Sequence, residues 1–198
     1  MVKPFWDLEE QKGYKKIKSR VNGRRYRVLN QSRQQEASDN LGMVQDRIDG
    51  ITNILRTYPC LWFGTRVHDG IEVFLNIHGG NYDLIEMPEG THFDGLNKPR
   101  NVSNYGNRVA SVGPDGTKRA RDRLIYLQLR KQYFGKNSDS FRSNKSLMNL
   151  VIHEISHTAA NHVTWREDDH GADFKLYEDF LKTIYNPNTD RFVSNIRC

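Results

Sequence analysis

LVIHEISHTAANHVTWREDDHGADF, residues 150–174, holds four of the chain's seven histidines within eighteen positions. With Met148 just before it, its first half has helical spacing: Met148, Val151, Ile152, Ile155 and Ala159 form one apolar stripe. This predicts a helix from about Asn144 or Ser146 to Asn161. His153 and His157 then stand one turn apart beside the buried face. An i,i+4 pair of imidazoles converges on one Zn2+ at about 2.0–2.1 Å, and the intervening Glu154 can take a proton from a metal-bound water. That is the chemistry of metal-assisted hydrolysis, in which zinc brings the pKa of water to about 7 and polarises a scissile carbonyl. A closed structural zinc recruits Cys and fills four positions, and no Cys lies near in sequence. The remaining alternative is a pair of hydrogen-bonded core histidines.

The third ligand has several candidates. A metzincin pattern requires Gly at 160 and His at 163, where this chain has Ala160 and Val163. His162 on a continuing helix lies about 140° round from His157 and points off the metal. Glu178 sits near the distance used by a Glu ligand. His170 is favoured, because it follows the loop TWREDD and opens a new helix that returns over the first two ligands. Asp168 or Asp169 could orient an imidazole, against a role in helix capping. Tyr177 is the one candidate for an oxyanion partner, against core packing.

His153-Glu154-x-x-His157, followed by His170-Gly171-x-x-Phe174, resembles the SprT-like and WLM (Spartan-related) metallopeptidases, whose pattern is HExxH and then HGxxF. The likeness is specific over residues 144–185 and loose over 36–130. It implies a minimal zincin-like metalloprotease fold with a packing helix, a small mostly antiparallel sheet, the HExxH helix and a closing helix. It also implies His153, His157 and His170 as zinc ligands, Glu154 as the catalytic base, and hydrolysis of peptide bonds in proteins bound to DNA. Related genes occur in large DNA viruses. No zinc ribbon or ubiquitin-binding tail follows residue 185, and the Gly/Asn/Arg-rich stretch before the active helix departs from the pattern.

Outward from the motif, the element order predicts an α+β fold. SDNLGMVQDRIDGITNILRTYP reads as a packing helix, with Leu41, Val44, Ile48, Ile51 and Leu55 on one stripe and Pro59 as its stop. CLWFGTRV, IEVFLNI and YDLIEM read as strands separated by turns at His68-Asp69-Gly70 and His78-Gly79-Gly80. Segment 88–117 reads as loop, with a hairpin at RVASVGPDGTKR. RLIYLQLR reads as a strand with Leu124, Tyr126 and Gln128 on one face and Ile125, Leu127 and Leu129 on the other. A last helix, about 171–185, turns Phe174, Tyr177, Leu181 and Ile184 inward.

At 198 residues, with 21 aromatics, the chain can bury a real core despite a mean hydropathy of −0.77. Its net charge of +6 is concentrated: residues 1–35 hold ten Lys/Arg against three Asp/Glu. This predicts a basic N-terminal arm (1–35), a metallopeptidase domain (36–187) and a short tail (188–198). Lys15, Lys16, Lys18, Arg20, Arg24 and Arg25 are the candidates for meeting DNA phosphates or an acidic protein surface. A non-catalytic alternative is a structural or nucleic-acid-associated protein, such as a virion component, on the same fold. No apolar run suits a membrane span or a secretory signal, and Cys60 and Cys198 are too few for a disulfide framework. The expected setting is the cytoplasm, the nucleus or a virion rather than the exterior.

Overall fold

The computed structural model describes residues 13–80, 82–88, 94–99, 111–112, 118–119, 123–133, 136–160 and 170–198. The chain begins with β1 (Tyr14–Lys18), β2 (Arg25–Leu29), α1 (Gln34–Thr57), a 3-10 turn (Pro59–Leu61), α2 (His68–His78), β3 (Tyr82–Glu86) and β4 (Gly95–Pro99). It continues with β5 (Ser111–Val112), β6 (Lys118–Arg119), β7 (Arg123–Leu127), β8 (Arg130–Tyr133) and β9 (Lys136–Phe141). α3 (Asn144–Ala159), α4 (Ala172–Ile184), β10 (Tyr185–Asn186) and β11 (Arg191–Phe192) close it. The fold is α+β, with a five-stranded sheet in the order β1-β2-β3-β7-β4.

That sheet is mixed rather than mostly antiparallel. β2, β3 and β7 run parallel, and β1 and β4 flank them as antiparallel edges. The reason lies in the connections: α1 and α2 fill the crossover between β2 and β3, and a parallel pair needs such a long excursion.

One sheet face carries the main core. Tyr26, Val28, Tyr82, Leu84, Ile125 and Leu127 meet buried side chains from all four helices. The other face holds a smaller cluster of Ile85, Met87, Leu96, Leu124 and Tyr126, with Tyr14 against it. The alternation along β7 is therefore as its sequence predicts. The α1 stripe is also as predicted, with Leu41, Val44, Ile48, Ile51 and Leu55 free of solvent.

Residues 60–67 and 71–77 do not form strands. The first holds the end of the 3-10 turn and the loop after it, and the second lies inside α2. Ile71, Phe74 and Ile77, spaced three apart, face the core. Gly70 is not a turn residue; a Cβ there would overlap the ring of Tyr177, so glycine lets α4 approach α2. His78, likewise read as a turn residue, is buried at the end of α2, and His68 begins that helix with its ring 4.5 Å from that of Phe63.

Nor are residues 14–29 a separate arm. Tyr26 and Val28 drop into the core from β2, and the β1–β2 turn closes with Ser19 N donating to the Arg24 carbonyl at 2.8 Å. Gly23 takes φ +74°, a conformation that favours glycine. The Asn22 amide donates to the Tyr26 hydroxyl at 2.9 Å and the Gly42 carbonyl at 3.0 Å, tying the turn to α1. A boundary at 35 would cut α1, which starts at Gln34.

The last residues are tied down too. β11 pairs with β10, Arg47 grips Asp190 at 2.7 and 2.9 Å, and Cys60 and Cys198 form a disulfide across 138 residues. Inside, Arg130 meets Glu86 at 2.7 Å with both side chains out of solvent. Glu86 also accepts from Leu29 N at 2.8 Å, and Arg130 donates to the Ser32 carbonyl at 2.7 Å. This pair fixes β3 and β8 against the exit of β2.

Candidate metal centre

Ser143 caps α3 by accepting from Ser146 N at 3.2 Å, and Leu147, Met148, Val151, Ile152, Ile155 and Ala159 bury its inner face. His153 and His157 sit at the margin of that face, half-buried, with ring centroids 5.1 Å apart. His170 stands two residues ahead of α4 and returns over them, its centroid 4.9 Å from that of His153 and 5.1 Å from that of His157. One ligand atom from each of the three lies within 4.8 Å of the others, so the triad could hold a metal ion.

The donor set fits a tetrahedral cation in two ways. Nε2 of His153 and Nε2 of His170 are 3.1 Å apart, close to the roughly 3.4 Å expected between two nitrogens on one tetrahedral zinc. On the outer side of the ring, Nδ1 of His153 lies 3.5 Å from Glu178, which Lys182 holds at 3.2 Å. A carboxylate there keeps the proton on Nδ1 and leaves the Nε2 lone pair facing His170. Burial lowers the pKa of His153, outweighing the Glu178 carboxylate that raises it, and so favours the neutral ring that a metal requires. Glu178 is therefore placed behind His153, on the ring nitrogen that faces away from His170.

Phe174, buried, forms the floor. Its ring lies 4.9, 4.6 and 4.8 Å from those of His153, His157 and His170. An apolar floor keeps the three rings in place and lowers the local dielectric. Tyr177, one turn on, is half-buried with its ring against Gly70, so it serves the α2–α4 contact. His162, Asp168 and Asp169 lie outside the described residues.

Glu154, the next residue along α3, lies against β4. It is 4% exposed, and burial, with Asp94 adding a smaller effect, pushes its carboxyl up to about 8. The seat is made by glycine: a Cβ on Gly95 would overlap the Glu154 carboxylate. Asn97, two residues along β4, donates to the Glu154 carbonyl and to Thr158 Oγ1 at 2.8 Å. Arg123 in turn donates to Asn97 at 3.0 Å, and buried His78 reaches Thr158 at 3.1 Å. Arg142 pairs with Asp94 at the rim. Gly95 and Asn97 were not legible as site residues, because they lie in a segment that reads as loop. Their only sequence signal is the short run Asp94-Gly95-Leu96-Asn97.

The six basic candidates separate. Arg20 and Arg24 are ion-paired to α1, through Asp39 at 2.5 Å and Asp49 at 3.2 Å. Lys15 projects on the helix side of the hairpin, opposite Val28. Lys16, Lys18 and Arg25 project from the far face together with Arg27, which the charge count alone did not single out. Its signal was the alternation Arg25-Tyr26-Arg27-Val28. No helix among the described residues is long and apolar enough to cross a membrane. No protein-family model, curated protein or solved structure matches this chain.

Proposed function

We propose that this chain is a zinc-dependent endopeptidase of the SprT-like and WLM kind on a zincin-like fold. His153, His157 and His170 hold the metal, and Glu154 is the general base. The observation that carries the reading is the convergence of His170 on two histidines of α3, with Glu154 of the same helix buried between them in sequence in a glycine-built seat. Bound at the triad, Zn2+ supplies a Lewis acid and a water of lowered pKa.

The chain's own groups do the rest. Glu154 takes the proton of the attacking water and delivers it to the leaving amine, a role suited to a carboxylate whose pKa burial has brought near neutrality. A cation nearby draws that pKa back down and keeps the base ionised at neutral pH. Asn97 fixes the Glu154 backbone, and Gly95 leaves space for its carboxylate. β4 is an outer strand of the sheet among the described residues, and an extended peptide can add to such an edge beside Glu154. Peptide is thus the substrate class the site suits, and DNA-associated proteins are the subset the family resemblance implies.

The test is Glu154→Gln, assayed on an unfolded protein substrate with zinc content measured in parallel. Cleavage should fall at least 1,000-fold, about 4 kcal/mol of barrier, while zinc stays bound. Retained cleavage removes this mechanism. A second reading, a non-catalytic virion component associated with nucleic acid, is favoured by the Cys60–Cys198 disulfide, since such bonds persist outside reducing compartments. The seat kept clear for Glu154 speaks against it, because a scaffold has no chemical use for that carboxylate.

A further inference from the structure

The β1–β2 hairpin carries a charge arrangement that the fold does not reward. Its register sets Lys16 opposite Arg27 and Lys18 opposite Arg25. All four project from the sheet face away from the helices, since their alternates Ile17, Tyr26 and Val28 pack on the main core. Like charges directly opposite one another destabilise a ribbon. Asp83 answers Arg27 at 3.2 Å, but Lys16, Lys18 and Arg25 make no ion pair with any described residue. Three cations without a counter-ion among the described residues, on one face of two short strands, make a surface suited to an anion.

A cleft sits beside them. β2 and β3 pair through a single position, Arg27 opposite Ile85. Between these strands lies a cleft of about 480 Å³, with Lys16, Arg24, Arg25 and Arg27 against the single carboxylate of Asp83 among its lining groups and Tyr26 and Tyr82 in its wall. The size falls in the range of small-ligand sites, about 300–1,000 Å³. Both tyrosine hydroxyls are already engaged, Tyr26 by Asn22 at 2.9 Å and Tyr82 by Gln45 at 2.5 Å, so the walls are held in place. Arginine forks match the oxygens of a phosphate in pairs, and a tetrahedral group can be met from several sides at once. Cations converging from two strands and a turn suit that shape better than a planar carboxylate.

We propose that this cleft binds phosphate groups, supplied by a free polyphosphate ligand or by the backbone of a polynucleotide laid along the hairpin. The site lies between β2 and β3, with β7 separating it from β4, and the inference does not rest on the metal reading.

The test measures equilibrium binding of pyrophosphate and, separately, of a fluorescently labelled single-stranded 20-nucleotide DNA to the full chain. Three proteins are compared: the unaltered chain, Lys16→Gln/Arg25→Gln, and the charge-matched control Arg66→Gln/Lys145→Gln on exposed positions elsewhere. The expected result is binding of at least one probe that weakens tenfold or more in the cleft variant and not in the control. Pyrophosphate binding that the oligonucleotide displaces identifies a local phosphate site. Oligonucleotide binding alone, falling steeply with salt, identifies the backbone as the source. Binding of neither probe, or equal affinity in all three proteins, overturns the proposal; the second result would also be produced by phosphate held at the histidines, which all three share.

Discussion

At the scale of single residues, the candidate site depends on one side chain that is absent. Gly95 has ordinary strand geometry, and its function is to leave room for the carboxylate of Glu154. Gly95→Ala should push Glu154 from its seat without touching a histidine. Turnover on an unfolded protein substrate should drop about 10- to 100-fold while zinc affinity stays within a factor of about two, because misplacing a base by about 1 Å costs up to two orders of magnitude. Wild-type activity in the variant would show that Glu154 works from some other position. The histidine spacing was legible because i,i+4 on a helix is a purely local property. The glycine and Asn97 were not, because their meaning comes from β4 lying against α3, a contact across 57 residues.

At the scale of elements, α2 is the instructive case. IEVFLNI is β-branched and aromatic enough to read as a strand, and His68-Asp69-Gly70 resembles a turn. Tertiary packing decided otherwise, since Ile71, Phe74 and Ile77 share one helical face against α1 and α3. The hairpin is hard to read in sequence for a different reason: the density of positive charge in residues 1–35 masks the Asn22-Gly23 turn signal and the period-two alternation around it. α2 ends in His78, whose full burial pushes its pKa down to about 3, with Arg123 adding to the effect. The folded state therefore excludes the imidazolium while the unfolded chain, titrating near 6.5, takes up a proton. The stabilisation is complete above about pH 6.5 and is lost as pH falls from there toward 3. Unfolding free energies measured by denaturant at pH 7, 5.5 and 4.5 should decline with a slope of up to about 1.4 kcal/mol per pH unit from this group. His78→Gln should flatten the decline; parallel curves for the two proteins would assign the acid sensitivity elsewhere.

At the scale of the whole molecule, the hairpin of residues 14–29 and the last residues are part of the body. β1 and β2 complete the sheet, and Cys198 returns to the 3-10 turn after α1. Nothing in the local sequence around two cysteines 138 residues apart announces their pairing; only the path of the chain through α1, the sheet and α4 does. Cys60→Ser/Cys198→Ser should lower the unfolding free energy by about 2–4 kcal/mol, read from denaturant midpoints under non-reducing conditions. An unchanged midpoint would mean that β10–β11 and the Arg47–Asp190 pair hold the tail unaided. Two chemistries thus share the sheet: α3, with two of the three histidines, packs on β4 at one edge, and a cationic cleft opens between β2 and β3. The triad is the centre of the account, and it is tested most directly by the metal content per chain of protein purified without chelators, beside His170→Ala. Close to one zinc is expected in the unaltered chain, and loss of most of it in the variant. An unaltered chain without metal, or a variant that keeps its zinc in full, would contradict it.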